Sequence, residues 1–225
     1  MPSTWREGAK RRLVASGLVA RHQVLTVTRV ATIVITVAAI GWAVYETTNA
    51  GTFDPTRFFA YFTVQSNLVV VALYALLVAN GDRPRGRALE SFRGAAAAYM
   101  TVVFFVVLFL LSNVDVGLRL AWVDVVLHKV VPVVVVLDWL VDPPGVRLGL
   151  RDALAWTVYP LIWTGVTLLR GAADGWYPYP FLDPANGGYG TVAVMVVAIT
   201  AGFLAVASVF IWLGNSRAEV VAQPA

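Results

Sequence analysis

Cysteine is absent from this chain of 225 residues, and only 13% of its residues are charged. The absence of thiols excludes disulfide bonds, cysteine nucleophiles and thiolate zinc sites. Histidine is scarce as well, since only His22 and His128 occur, and a metal site built from several histidines is therefore not expected. Soluble domains carry charge on about a quarter of their residues, so the low value here indicates a non-aqueous environment.

Common catalytic motifs are missing too. The sequence has no G-x-S-x-G, no H-E-x-x-H and no glycine-rich phosphate loop followed by lysine. The net charge of +4 could suggest nucleic acid, but in a membrane protein a basic excess usually reflects topology. We therefore predict no nucleic-acid partner, no cofactor and no metal.

Long apolar runs dominate what is present, and 59% of the residues are hydrophobic. An apolar run of about 20 residues is long enough to cross a bilayer as a helix. Six runs meet this description, at about 27–46, 58–79, 94–112, 118–141, 153–169 and 191–213. We predict one integral membrane domain over 1–225, an all-α bundle of six transmembrane helices with short loops.

The distribution of Lys and Arg predicts the orientation of this bundle. If the N-terminus is cytoplasmic, most basic residues fall in cytoplasmic segments: Arg6, Lys10, Arg11, Arg12, Arg21, Arg29, Arg83, Arg85, Arg87, Arg93, Arg147, Arg151 and Arg217. The outer loops then hold only Arg57, Arg119 and Arg170, while Lys129 falls within a span. Basic residues concentrate on the cytoplasmic side of membrane proteins, so we predict a plasma-membrane protein with both termini in the cytoplasm.

The predicted outer loop between the last two spans is rich in aromatic and turn-forming residues. It reads Gly-Trp-Tyr-Pro-Tyr-Pro-Phe over 175–181 and continues with Asp183, Pro184 and Asn186. One interpretation is an aromatic belt at the membrane interface with ordinary turn residues. The other is a lid over an outward-facing cavity.

The second span carries polar residues on one helical face. Thr63, Ser66 and Asn67 are three and four residues apart, and Tyr74 continues the same face, whereas Gln65 points elsewhere. Such residues often join transmembrane helices through hydrogen bonds. They can equally line a site.

The fourth span carries ionisable residues, which are costly in a membrane and usually face the interior. Asp124 precedes His128 by four residues, so the carboxylate is expected to lie beside the imidazole and to orient it. Pro132 has no N–H for the carbonyl of His128, so the helix is expected to bend there. Lys129 is expected to reach outward or to pair with Asp124.

Depth brings the two polar faces together. Thr63 lies about 7–8 Å inside its span and His128 about 10–15 Å inside its own, both from the outer side, whereas Asp138 lies about 15 Å deeper. A threonine hydroxyl is a weak nucleophile that needs a neighbouring base, and His128 is the candidate at matching depth. Asn67, one turn from Thr63, could donate a hydrogen bond to a developing oxyanion.

Two stretches of the sequence resemble a known family. Tyr61-Phe62-Thr63-Val64-Gln65-Ser66-Asn67 and His128-Lys129-Val130-Val131-Pro132, followed by Leu137-Asp138-Trp139, resemble the androgen-induced, FAR-17a-like membrane proteins and their bacterial "Pr-six-Pr" relatives. The resemblance implies an intramembrane threonine hydrolase of fatty-acyl esters, with Thr63 as nucleophile and His128 as base. Gln65-Ser66-Asn67 and Lys129 look like features of the bacterial branch.

Two hypotheses of different class therefore stand. The first is a hydrolase of a lipid-like fatty-acyl ester, in which Thr63 and His128 are catalytic and Asn67, Asp124 and Ser66 support them. The second is a non-enzymatic bundle, such as a small transporter, a sensor or a partner-binding protein. Catalysis requires contact between Thr63 and His128, whereas a structural role requires only that each finds some partner.

Overall fold

The computed structural model describes the backbone of residues 3–111 and 121–222 and the side chains of residues 20–111 and 121–217. Within these ranges the chain is helical and has no β-strand. The α-helices are α1 (Ser3–Asn49), α2 (Pro55–Phe58), α3 (Phe62–Asn80), α4 (Arg87–Leu110), α5 (Ala121–Val125), α6 (Val131–Val141), α7 (Leu150–Asp174) and α8 (Gly188–Ala222). A π-turn (Val126–Val130) joins α5 to α6, and two 3₁₀ turns (Pro180–Leu182 and Pro184–Asn186) precede α8.

Four helical segments in the described ranges are long and apolar enough to cross a membrane: Ala20–Asn49, Phe62–Asn80, Arg87–Leu110 and Gly188–Arg217. They correspond to the first, second, third and sixth predicted spans. The all-helical class is confirmed, and so is the presence of membrane-type helices. The ends of two predicted spans, residues 112 and 118–120, lie outside the described ranges. Arg119, which was expected in an outer loop, is among them.

The remaining two predicted spans are less regular, for different reasons. Helix α7 has 25 residues, but its sequence is less apolar and contains Pro160. The fourth predicted span is divided into α5, the π-turn and α6, so no single described α-helix there reaches the length of a span. Composition and local geometry therefore distinguish these segments from the four apolar helices.

The outer faces of the long helices are apolar. Leu169, Phe109, Val194 and Trp212 are each at least 66% exposed, and many other Val, Leu and Ile side chains are exposed on the same helices. Soluble monomers rarely expose large contiguous apolar surfaces. These faces are suited to contact with lipid chains.

Helix α4 lies at the centre and packs against α3, α6 and α8. Its segment Ala95–Ala98 is fully buried, and small side chains there let the neighbouring helices approach closely. At Gly94 an added Cβ would lie 2.4 Å from the Trp156 ring, so only glycine permits this contact between α4 and α7. The small residues of α4 thus determine how closely the bundle packs.

A charged cluster joins α1, α4 and α6 at the end of the bundle opposite the start of α3. It consists of Arg29, Arg85, Glu90, Arg93, Asp138 and Asp142. Arg29 lies 2.7 Å from Asp138, and Arg93 lies 3.1 Å from Asp138 and 2.6 Å from Glu90. Burial alone would raise the pKa of the Asp142 carboxyl. The guanidinium groups of Arg93, Arg85 and Arg29 oppose this effect and hold that pKa below its ordinary value.

This cluster changes the interpretation of several basic residues. Arg29 and Arg93 are almost fully buried, and with Arg85 they form ion pairs inside the protein. From the sequence, all three were expected in cytoplasmic segments, where they indicate the orientation of the bundle. Here they also join helices, and Arg93 additionally stacks over the Trp139 ring at 5.5 Å.

Candidate functional site

Thr63 is the second residue of α3, and its side chain is buried. Its backbone N–H donates to the hydroxyl of Tyr179 at 3.4 Å, and its Oγ1 lies 3.4 Å from the same hydroxyl. The first N–H groups of a helix have no partner within the helix, so a side chain that reaches this end can accept from them. Tyr179 does so from the loop between α7 and α8.

His128 lies in the π-turn and is also buried. Its Nδ1 lies 2.8 Å from Oδ1 of Asp124 and 3.2 Å from the Asp124 carbonyl oxygen. The structure thus places the carboxylate beside the ring, as the spacing of the two residues predicted. Because Asp124 occupies Nδ1, the nitrogen left for a hydroxyl or a water is Nε2.

A π-turn interrupts the regular hydrogen-bond pattern just before Pro132. The N–H of Val131 donates to Val126 rather than to Leu127, and proline at 132 has no N–H for the next pairing. The carbonyl of Leu127 accepts instead from Nδ2 of Asn67 at 3.2 Å. From the position of Pro132, the carbonyl of His128 was expected to lack its helical partner. In the structure, the carbonyl of Leu127 is the one that accepts from a side chain. Single π-turns within helices are frequent at functional sites.

Asn67 joins two backbone carbonyls, a contact that the sequence did not predict. Its Nδ2 donates to the Thr63 carbonyl at 2.9 Å as well as to Leu127, so both amide hydrogens are used on backbone oxygens. It connects α3 to the π-turn and holds Thr63 and His128 in register. Ser66 is fully buried on the same face, and Lys129 is exposed. Neither Asn67 nor Ser66 lines the two cavities described next.

Thr63 and His128 line the same cavity, which has a volume of about 270 Å³. Its wall also contains Asp54, Arg57, Tyr61, Trp176 and Tyr179, among other residues. Residues from α3, the π-turn and two loops therefore meet at one space. Thr63 and His128 thus share one cavity, but no hydrogen bond joins these two described side chains: Thr63 Oγ1 contacts Tyr179 and His128 Nδ1 contacts Asp124.

A second, almost wholly apolar cavity of about 80 Å³ adjoins the first. Phe62, Val106, Trp163 and Phe203 are among its lining residues. Thr63 and Tyr179 line both cavities and so form the boundary between them. A molecule that crosses this boundary would place a polar part in the first cavity and an apolar part in the second.

The loop between α7 and α8 packs into the bundle. The Tyr179 ring contacts Tyr61 at 5.7 Å and stacks on Phe181 at 5.2 Å, and Leu182 is buried. Arg57 and Arg170 both lie over the Trp176 ring, at 5.4 and 5.1 Å from its centre. This arrangement favours the lid interpretation over a simple aromatic belt, because the loop forms part of the cavity wall.

A close approach of the loop to α7 depends on glycine. At Gly171 an added Cβ would lie 2.1 Å from the ring of Tyr177, and Gly175 adopts a left-handed conformation with φ of 73°. Both features turn the chain back over α3 immediately after α7 ends. The position of Tyr179 follows from this turn.

Sequence reasoning did not identify Tyr179 as a site residue. The Trp-Tyr-Pro-Tyr-Pro run drew attention to the loop, but a single sequence gives no register between this loop and α3. The hydroxyl of Tyr179 meets Thr63 across 116 positions of the chain. The available signal for a fixed position of Tyr179 was the pair of prolines that flank it, because proline restricts the backbone of the loop.

No protein-family model, no curated protein and no solved structure matches this chain. The geometry of the site is therefore the basis on which its function is argued.

Proposed function

We propose that this protein is an intramembrane threonine hydrolase that acts on a fatty-acyl ester. One observation carries the proposal: Thr63 and His128, from separate helical segments, line one cavity, and Asp124 contacts His128 Nδ1 at 2.8 Å. A hydroxyl, an imidazole and an orienting carboxylate are the three groups that nucleophilic acyl transfer uses. The resemblance noted in the sequence implies the same chemistry.

The proposed reaction has two stages. In the first, Thr63 Oγ attacks the acyl carbon while His128 Nε2 takes its proton, and the proton passes to the leaving alkoxide as the ester bond breaks. In the second, water attacks the acyl-threonine, His128 takes a proton from that water, and Thr63 regains its hydrogen as the acid leaves. Asp124 keeps Nδ1 protonated and stabilises the imidazolium. The scheme needs no metal or cofactor.

The two cavities support an acyl ester as substrate. The apolar cavity beside Thr63 suits a hydrocarbon chain, since binding sites for apolar groups are lined mainly by apolar and aromatic side chains. The larger cavity contains Asp54 and Arg57 and suits the more polar leaving group. The scissile carbonyl would then lie at the boundary, next to Thr63.

A fluorophosphonate probe tests the nucleophile. We expect the purified protein to displace fluoride from the probe and to form a phosphonyl adduct that mass spectrometry locates at Thr63. Thr63→Ala should abolish the adduct, and His128→Ala should reduce its rate of formation by about 100-fold or more, because general base catalysis contributes about 10²–10⁴. Labelling is measured by gel fluorescence and intact mass.

The matched control is Thr101→Ala. Thr101 donates a hydrogen bond to Ala97 within its own helix and lines neither of the two cavities, so labelling should match the wild type. An adduct that persists in Thr63→Ala would contradict the proposal. Protein that binds fatty-acyl esters without forming any adduct would favour the non-enzymatic alternative.

We propose further that six spans cross the membrane, with both termini cytoplasmic and the site near the outer face. Charge placement supports this orientation, since most of the basic side chains that the structure describes fall at the end of the bundle that holds the charged cluster. Because the native chain lacks cysteine, single cysteines report topology directly. A membrane-impermeant maleimide should label Ala173→Cys on intact cells and Asp82→Cys only after the membrane is opened. The reverse pattern would overturn the orientation.

A further inference from the structure

The hydroxyl of Tyr179 is held at the start of α3 by contacts with the proposed nucleophile. It lies 3.4 Å from both the backbone nitrogen and the Oγ1 of Thr63. The N–H of Thr63 donates to this oxygen, and in the contact with Oγ1 either hydroxyl can be the donor. When Thr63 Oγ1 donates, the phenol proton can point toward another acceptor. The residue is 6% exposed, so water competes little for that proton.

The site has no other assigned donor for an oxyanion. Asn67, which the sequence analysis suggested for this role, uses its amide hydrogens on the carbonyls of Thr63 and Leu127. Acyl transfer places a negative charge on the former carbonyl oxygen, and a preorganised donor at that point is usually the largest single contribution to catalysis. Tyr179 borders both cavities, where the scissile carbonyl would lie.

The protonation state of Tyr179 suits a donor. Burial raises the pKa of its phenol to about 12, although the hydrogen bonds from Thr63 oppose this increase. The phenol therefore keeps its proton throughout the neutral range. Its low-dielectric surroundings strengthen any hydrogen bond that it donates to a charged oxygen.

We propose that Tyr179 is a catalytic residue, whose phenol donates a hydrogen bond to the oxyanion formed when Thr63 attacks the acyl carbon. The inference rests on the proposed hydrolase function and assigns a residue to it. No proton leaves the phenol: the oxyanion accepts the hydrogen bond, collapses, and expels either the alkoxide or Thr63. Because Tyr179 belongs to the loop, the site is complete only while the loop packs on Tyr61.

The primary test is Tyr179→Phe, assayed with a chromogenic fatty-acyl ester. We expect kcat to fall about 10²–10³-fold, the usual effect of removing one oxyanion donor, with KM changed by less than about threefold. The ring and its stacking remain, so the final extent of fluorophosphonate labelling should stay the same while its rate falls. Tyr177→Phe is the matched control: it removes a hydroxyl from the same loop at a position that lines neither cavity, and kcat should not change.

A fluorinated tyrosine at position 179 separates catalysis from a purely structural role. Its phenol is more acidic, so the loss of kcat at high pH should move toward neutral pH, which a helix-capping or packing role would not produce. An unchanged kcat in Tyr179→Phe, or a loss matched by an equal loss of labelled protein, overturns the assignment. If wild-type protein forms no adduct and hydrolyses no ester, the proposed function fails and this inference falls with it. An adduct at Thr63 with normal turnover in Tyr179→Phe overturns this inference alone.

Discussion

Replacement of Asp138 by asparagine is expected to lower the free energy of unfolding by at most about 3–5 kcal/mol, because it removes one of the carboxylates that pair with two buried cations. Asp138 lies 2.7 Å from Arg29 and 3.1 Å from Arg93, and all three side chains are buried. Asparagine preserves the shape but not the charge. Both guanidinium groups then remain away from solvent with less compensation.

The measurement is reversible denaturation of the purified protein in detergent micelles, compared with Asp82→Asn. Asp82 is 85% exposed and pairs with His22 at 3.0 Å, and exposed pairs of this kind contribute about 0–1 kcal/mol. A loss for Asp138→Asn that is no larger than this control would show that the charged cluster is not a main source of stability. Labelling of Thr63 should persist in whatever fraction of Asp138→Asn remains folded, since the cluster lies at the other end of the bundle.

Apolar runs were sufficient to predict most of the helices. Helices α3, α4 and α8 each carry an uninterrupted apolar stretch, and the structure places helices of spanning length there. The start of the second span was less accurate: Phe58 ends α2, residues 59–61 form a turn, and α3 begins at Phe62. An aromatic run gives no sign of where a helix begins.

Local spacing predicted the pair of Asp124 and His128. Two residues four apart on a helix are neighbours whatever surrounds them, and the structure confirms their contact at 2.8 Å. The shared buried face of Thr63, Ser66 and Asn67 follows from the same rule. Inference from helical periodicity was reliable wherever the partner lay on the same helix.

Contacts between distant segments were not predictable from the sequence. Arg29 and Asp138 are 109 positions apart, and a single sequence contains no signal that joins them. The π-turn was also missed, because Pro132 predicts an interruption of the ladder but not its form. The contact of Asn67 with Leu127 was not predictable for the same reason: the free carbonyl of Leu127 exists only once the π-turn has formed.

The largest expected effect on activity concerns Thr63 and His128 together. With a chromogenic fatty-acyl ester, Thr63→Ala and His128→Ala should each lower kcat/KM by about 10³-fold or more, and the double variant should be no slower than the slower single variant. The reason is that, in the proposed reaction, the base has no function without the hydroxyl whose proton it removes. The hydroxyl, in turn, is a weak nucleophile without the base.

The rates are measured for both single variants, the double variant and Thr101→Ala, each corrected for the fraction of folded protein. Losses that multiply in the double variant would mean that the two residues contribute independently, as separate contacts to a bound ligand would. That result would favour a binding protein over a hydrolase. Non-additivity is what the proposed reaction predicts, because there the two side chains act on one proton. In that reaction the proton would pass from Thr63 to Nε2 of His128, since Asp124 occupies Nδ1 and both residues line one cavity.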